Sequence, residues 1–104
     1  MAQFFDQKDP SESVVLTFDF SLNLATGETL SGSPVVSVTL VSGSDPSPSA
    51  ILTGNNGIDS TSTKALVGVH AGIAGCEYEV KAVCSTTNSQ KVLALGGILP
   101  VIAA

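Results

Sequence analysis

The fold of this chain is decided by residues 76–84, which run Cys-Glu-Tyr-Glu-Val-Lys-Ala-Val-Cys. Every second residue from Cys76 to Cys84 is apolar or aromatic, and the residues between them are charged except for Val83. Successive side chains of a β-strand point to opposite faces, so this alternation gives one apolar face and one mostly charged face. The stretch predicts a sheet strand that covers a core on one side and meets water on the other.

The same period of two runs through most of the chain. Leu22 and Leu24 continue the apolar parity of the first candidate strand, Asn56-Gly57 predicts a tight hairpin turn, and Gly96-Gly97 predicts a bulge that resets the final strand. Nowhere do apolar residues recur at helical spacing over three turns. Besides residues 76–84, the candidate strands are residues 14–20, 29–31, 35–41, 50–53, 61–69 and 90–102.

Short strands separated by turns at regular spacing favour a sandwich or barrel, and 104 residues suffice for one domain. We predict an all-β fold: a single immunoglobulin-like (fibronectin III-like) antiparallel β-sandwich of about seven strands over residues 14–104. An extended N-terminal arm over residues 1–13 precedes it. Tyr78 follows a glycine-containing turn, as does the tyrosine corner of such sandwiches, so its phenol should hydrogen-bond to backbone a few residues upstream.

The two cysteines, Cys76 and Cys84, lie on one predicted strand. Eight residues of extended chain separate them by about 26 Å, whereas a disulfide requires Cα atoms within about 7 Å. No further cysteine or histidine cluster is present to complete a metal site. We predict that both thiols are small buried hydrophobic groups.

Composition and charge argue against several classes of partner. The net charge is −5, and the only cations are four scattered lysines, so binding to nucleic acid or to an anionic membrane surface is not expected. No apolar run reaches the roughly 18–20 residues of a membrane span. The first residues lack the basic and apolar regions of a secretory signal, which predicts a protein made and kept, at least initially, in a cytoplasm.

The sequence also lacks recognisable motifs for catalysis or for binding phosphate or metal ions. His70 is the single histidine, no G-x-S-x-G or phosphate-binding glycine motif occurs, and the nearest approach to a calcium loop is Asn55, Asn56 and Asp59. We expect no catalytic residues, no metal, no cofactor and no small-molecule substrate. The few aromatic residues also weaken a carbohydrate-binding role, which generally stacks sugars on exposed rings.

Residues 1–13 carry adjacent phenylalanines, Phe4 and Phe5, but no periodic pattern, and Pro10 prevents a regular helix. Such an arm has two possible positions. It either folds back to plug one end of its own sandwich or docks on a neighbouring subunit.

Several separated segments resemble a family of small virion proteins of tailed bacteriophages, the fibre-tail adaptor or immunoglobulin-like virion proteins. They keep the family's order from residue 8 to residue 87, although a tryptophan that the family tends to show after the third segment is replaced by Pro34-Val35-Val36. The corresponding segments are Lys8-Asp9-Pro10-Ser11-Glu12, Asp19-Phe20-Ser21, Leu24-Ala25-Thr26-Gly27-Glu28-Thr29-Leu30, Gly72-Ile73-Ala74-Gly75-Cys76-Glu77-Tyr78-Glu79-Val80 and Thr86-Thr87.

The resemblance implies a structural, non-enzymatic protein of a phage particle, assembled in the host bacterial cytoplasm. It implies a tail, neck or fibre-tail adaptor that joins other virion proteins and copies of itself. The alternatives are a capsid decoration protein of the same fold and a cell-surface adhesion or carbohydrate-binding module. We expect partners to be contacted by the arm residues Phe4, Phe5, Lys8 and Asp9, and by two loops at residues 42–49 and 54–59.

Overall fold

The computed structural model describes residues 3–103, so residues 1, 2 and 104, at the outer ends of the predicted arm and sandwich, lie outside the described chain. Six strands of six to thirteen residues carry the fold, together with one two-residue strand and two short 3₁₀-helices at Ser21–Asn23 and Pro48–Ile51. The strands are β1 (Gln3–Phe4), β2 (Val14–Asp19), β3 (Leu30–Ser42), β4 (Leu52–Ile58), β5 (Lys64–Val69), β6 (Glu77–Thr86) and β7 (Val92–Pro100).

The strands form two sheets that pack as a sandwich. One sheet has the order β1-β7-β6-β3 and the other has the order β2-β5-β4. Among the strands of residues 3–103, the pairings are antiparallel except that of β1 with β7, which is parallel, as is the isolated bridge between Lys8 and Val101. The prediction of an all-β sandwich is confirmed, whereas its immunoglobulin-like subclass stays a prediction.

The core lies between the two sheets and is filled by alternate residues of each strand. In β6 the buried positions alternate with more exposed ones along the whole strand, so the two-faced strand predicted at residues 76–84 is confirmed. Both cysteines are buried and free, which confirms their prediction as core groups. The buried apolar residues are Leu16, Phe18, Phe20, Leu30, Ile51, Ala65, Val67, Val69, Cys76, Tyr78, Val80, Ala82, Cys84, Leu99 and Val101.

Strand β3 is longer than the sequence pattern predicts. The candidate strands at residues 29–31 and 35–41 are one strand, interrupted where the register with β6 shifts between Ser31 and Val35. Pro34 lies in this irregular stretch, where it does not have to donate to a regular ladder. From Val35 to Leu40 the pairing with β6 is unbroken, and a second shift follows before Ser42.

Several local predictions are wrong. Of the candidate strand at residues 50–53, only Leu52 and Thr53 belong to a strand, and the loop expected at residues 54–59 lies mostly in β4. Asn56 and Gly57 pair with β5 inside β4, and the chain reverses instead at residues 59–63. The final strand contains no bulge, since Gly96 and Gly97 continue the register with Lys81 and Val80. Leu22 is 97% exposed in a 3₁₀-helix instead of facing the core.

Candidate functional site

The described part of the N-terminal arm lies along β7 of its own sandwich. Gln3 and Phe4 pair in parallel with Gly97 and Ile98, and the Phe5 amide donates to the Ile98 carbonyl at 2.8 Å. Farther along, the Lys8 amide donates to Pro100 O at 3.0 Å, and the Ile102 amide donates to Lys8 O at 2.8 Å. These backbone bonds make the arm an edge of the four-stranded sheet.

The two adjacent phenylalanines of the arm have different environments. Because side chains alternate along an extended segment, one ring faces the sandwich and the other faces away from it. Phe5 packs edge-on against the buried ring of Phe18, with the ring centroids 5.3 Å apart. Phe4 is 77% exposed. Phe4 is therefore exposed, whereas Phe5 is half-buried against the core.

Lys8 is an interior residue, although it was expected to contact partners. Its side chain is only 2% exposed, and its ammonium donates to the carbonyl oxygens of Asp9, at 2.9 Å, and Ala71. Desolvation by burial lowers the pKa of Lys8, while the nearby carboxylates of Glu12 and Asp9 raise it by a smaller amount. The position of Lys8 makes it an anchor of the arm, with its charged end turned away from solvent.

Residues 9–12 form a tight turn that leads from the arm into β2. The Asp9 amide donates to Glu12 Oε1 at 2.8 Å, the Glu12 amide donates to Asp9 O at 2.9 Å, and the Ser11 amide donates to Asp9 Oδ1 at 2.8 Å. Asp9 is half-buried in this turn. Most polar groups of Lys8-Asp9-Pro10-Ser11-Glu12 are therefore used to shape the chain.

A groove of about 560 Å³ separates the arm from the edge strand of the second sheet. We call it the arm groove and define it by residues 4–8 of the arm, Glu12 and residues 14–17 of β2. Its apolar lining includes Phe5, Val14 and Leu16, and the exposed ring of Phe4 lies at its margin. Asp6 and Glu12 supply negative charge, while the ammonium of Lys8 is turned inward.

Tyr78 lies at one end of the sandwich, fully buried at the start of β6. Its hydroxyl accepts a 3.0 Å hydrogen bond from the amide of Ile73, five residues upstream, and donates a 2.7 Å hydrogen bond to Asp45 Oδ2. Asp45 belongs to the loop at residues 43–47, where the Cys76 thiol also donates to Ser44 O at 3.6 Å. The turn before β6 and the loop after β3 are thus linked by the side chains of Tyr78 and Cys76.

The other candidate residues are not brought together into a reactive site. His70 is exposed, and its amide donates to Ile51 O at 2.8 Å. Asp59 uses its carboxylate within its own turn, accepting from the Thr61 hydroxyl at 2.7 Å and from the Thr63 and Lys64 amides at 3.0 Å. Over residues 3–103, no three His, Cys, Asp or Glu side chains are grouped as metal ligands. No helix in that range has the length and hydrophobicity of a membrane span.

Two features of the fold were not predicted from the sequence. It did not find Asp45 as the partner of Tyr78, because the two residues are 33 positions apart. It placed Leu22 in the core by continuing the parity of β2, although Asp19 Oδ1 accepts from the Ser21 amide at 2.9 Å and ends the strand. The spacing Asp19-Phe20-Ser21 could have predicted the end of the strand, because an aspartate carboxylate commonly accepts from the amide two residues later and so forms a turn.

The comparisons with known proteins give one family. A sequence model of the family described as Podophage GP4 fiber-tail adaptor protein gp77 matches residues 8–94. Searches of curated proteins and of solved structures found no match. The match covers most of the 104 residues and includes every segment on which the resemblance was based. The chain belongs to this family of phage fibre-tail adaptor proteins.

Proposed function

We propose that the chain is a structural subunit of the tail or neck of a phage particle, where it joins fibres or adjoining components. The match of a fibre-tail adaptor family to residues 8–94 carries this proposal. Family membership makes the chain a virion component that contacts other virion proteins. The position at the tail or neck and assembly in the host cytoplasm go beyond family membership and are part of what we propose.

The contact surface that we propose is the arm groove together with Phe4. A large aromatic ring that is mostly exposed beside an apolar groove is typical of a residue that anchors a protein–protein contact. Phe5 and Lys8 hold the arm in position, because Phe5 packs on Phe18 and the Lys8 ammonium donates to Ala71 O. Asp9 shapes the adjoining turn. Among the four predicted arm residues, Phe4 and the side of Phe5 that lines the groove would then contact the partner, while Lys8 and Asp9 hold the arm in place.

The occupant that fits this surface is an extended segment of an adjoining virion protein with apolar and basic side chains. Asp6 and Glu12 line the groove, and the chain carries a net charge of −5. A basic segment would therefore be attracted electrostatically, while its apolar side chains would cover Val14 and Val15. The loop at residues 42–49 is a second, separate candidate contact, since most of its residues are exposed.

The proposal is tested by incorporation into particles. Phe4→Ser should reduce the number of copies of the chain per purified particle, because it removes the exposed anchor. Val92→Ser is the matched control, since Val92 is also exposed and apolar but lies on β7 outside the groove. Both variants should melt close to the wild-type temperature, as exposed side chains contribute little to stability.

These experiments test the arm groove as the contact surface separately from the role of the chain as an adaptor. Equal incorporation of Phe4→Ser and the wild type would overturn the arm groove as the contact and leave the family assignment intact. Electron microscopy of particles carrying a labelled chain should place the label at the tail or neck. A label distributed over the head would overturn the adaptor role in favour of a decoration protein.

A further inference from the structure

The second surface that the fold leaves open is the free edge of β3. Strand β3 lies at the end of the four-stranded sheet and pairs only with β6 over residues 35–42. In an antiparallel ladder, alternate residues direct their backbone N–H and C=O groups away from the partner. Such an edge can accept another strand.

This edge lacks the usual protection against further pairing. Natural edge strands are generally kept from pairing by charged side chains, prolines, bulges or short length. All 13 residues of β3 are uncharged, its proline and larger irregularity lie before Val35, and its second irregularity lies at the far end of the segment, between Leu40 and Ser42. By contrast, β1 has two residues, β2 carries Asp19, and the register of β4 is broken between Leu52 and Asn56.

The sequence of the open segment is self-complementary. Residues 35–41 run Val-Val-Ser-Val-Thr-Leu-Val, which is nearly symmetric about Val38. When two copies of this segment lie antiparallel about Val38, Val35 faces Val41, Val36 faces Leu40, and Ser37 faces Thr39. Every cross-strand pair then joins apolar with apolar or hydroxyl with hydroxyl, which are favourable pairs.

The exposure of these side chains fits the same arrangement. On the outer face, Val35 is 69% exposed and Val41 is 51% exposed, so both valines are available to a second strand. On the inner face, Val36, Val38 and Leu40 pack against the core but stay only partly buried. A second copy of β3 would cover the remaining flank of each of them.

We propose that β3 is a self-association edge: two copies of this chain pair antiparallel through residues 35–41, about a two-fold axis at Val38. The two four-stranded sheets then become one sheet of eight. β1 and β3 occupy opposite edges of the sheet, so this pairing leaves the arm groove of each copy free. The inference is independent of the proposed contact at the arm.

The test compares two oppositely charged variants of the full chain. Ser37 and Thr39 are exposed on the outer face and face each other across the two-fold axis. The wild-type chain should be a dimer in light scattering and native mass spectrometry at micromolar concentration. Ser37→Lys with Thr39→Lys, or both residues changed to Glu, should weaken the dimer at least about tenfold, because like charges then face each other. An equimolar mixture of the Lys and Glu variants should restore a dimer that contains one copy of each.

A control and a second measurement keep the test decisive. Ser89→Lys with Gln90→Lys adds the same charge in an exposed loop and should leave the dimer unchanged. Hydrogen exchange of the wild-type chain needs no variant: raising its concentration should slow amide exchange in residues 35–41 and not in β2. A wild-type monomer at every concentration, or unchanged dimers of both charged variants, or exchange in β3 that is independent of concentration, would overturn the proposal.

Discussion

The Tyr78 hydroxyl donates a 2.7 Å hydrogen bond to Asp45 Oδ2 across 33 positions of sequence. The same hydroxyl accepts from the amide of Ile73 at 3.0 Å. One buried phenol therefore links the loop after β3 to the turn before β6. The hydroxyl oxygen of Tyr78 is therefore bonded to both loops at once.

Removing that oxygen should destabilise the domain. Tyr78→Phe keeps the ring but leaves the Ile73 amide and the Asp45 carboxylate without this partner. An unsatisfied buried group costs about 1–3 kcal/mol, so the free energy of unfolding should fall by that amount. Urea denaturation of the two proteins measures the difference. A loss below about 0.5 kcal/mol would show that water or another group replaces the phenol.

Tyr78 should also make stability depend on alkaline pH. Burial, followed by the hydrogen bond to Asp45, raises the pKa of Tyr78 to about 12 from the ordinary value of 10.0. A raised folded-state pKa stabilises the fold fully below pH 10, and this stability is lost as the pH rises towards 12. The difference in unfolding free energy between the wild type and Tyr78→Phe should shrink by about 2 kcal/mol over that window. If the difference in unfolding free energy between the two proteins stayed constant with pH, the raised pKa of Tyr78 would be contradicted.

The two arm phenylalanines should differ in their effect on stability. Phe5→Ala removes the edge-on contact with Phe18 and should lower the free energy of unfolding by about 2–4 kcal/mol. Phe4→Ala removes an exposed ring and should change it by less than about 0.5 kcal/mol. Chemical denaturation measures both changes. Similar losses for the two variants would mean that the arm does not hold the position described.

Asp59 should make the domain sensitive to acid. The hydrogen bond from the Thr61 hydroxyl, helped by the Lys64 and Thr63 amides, lowers the pKa of Asp59 to about 2. A lowered folded-state pKa stabilises the fold above about pH 4, and this stability is lost as the pH falls towards 2. Melting temperatures of Asp59→Asn should fall less steeply over this range than those of the wild type. Parallel curves would show that Asp59 is not the group responsible.

Gly43 and Gly27 form a matched pair for testing the contact with Cys76. Both have positive φ, at 92° and 80°, so alanine strains the backbone at either position by about 1–2 kcal/mol. Only at Gly43 would the added Cβ lie 2.6 Å from the Cys76 sulfur and 2.9 Å from its Cα. Gly43→Ala should therefore destabilise the domain by about 1–3 kcal/mol more than Gly27→Ala. Equal effects of the two variants on the melting temperature would show that the contact with Cys76 adds nothing to the backbone strain.

The part of the fold that could be predicted is the part governed by alternation of side chains. Residues 14–20 and 76–84 each have one apolar face, and both are strands with that face in the core. Turns were harder to predict because side chains can override the preferences of glycine. Asp59 closes the turn after β4 with its carboxylate, so Asn56-Gly57 is left inside the strand.

The environment of the individual arm residues could not be predicted from the sequence. The sequence indicated the arm, yet alternation alone could not say which phenylalanine faces Phe18. Lys8 was expected to contact partners, but its side chain is buried. Its burial depends on the Ala71 carbonyl, which only the folded chain brings near.

The enclosure of Lys8 provides a chemical reporter for the position of the arm. Amine-reactive reagents modify accessible lysines, and Lys81 is exposed while Lys8 is not. Acetylation of Lys8 therefore requires the arm segment around Lys8 to detach from the end of β7, whereas acetylation of Lys81 does not. The ratio of the two modifications, followed by mass spectrometry in free protein and in assembled particles, would report how often the arm leaves its sheet in each setting.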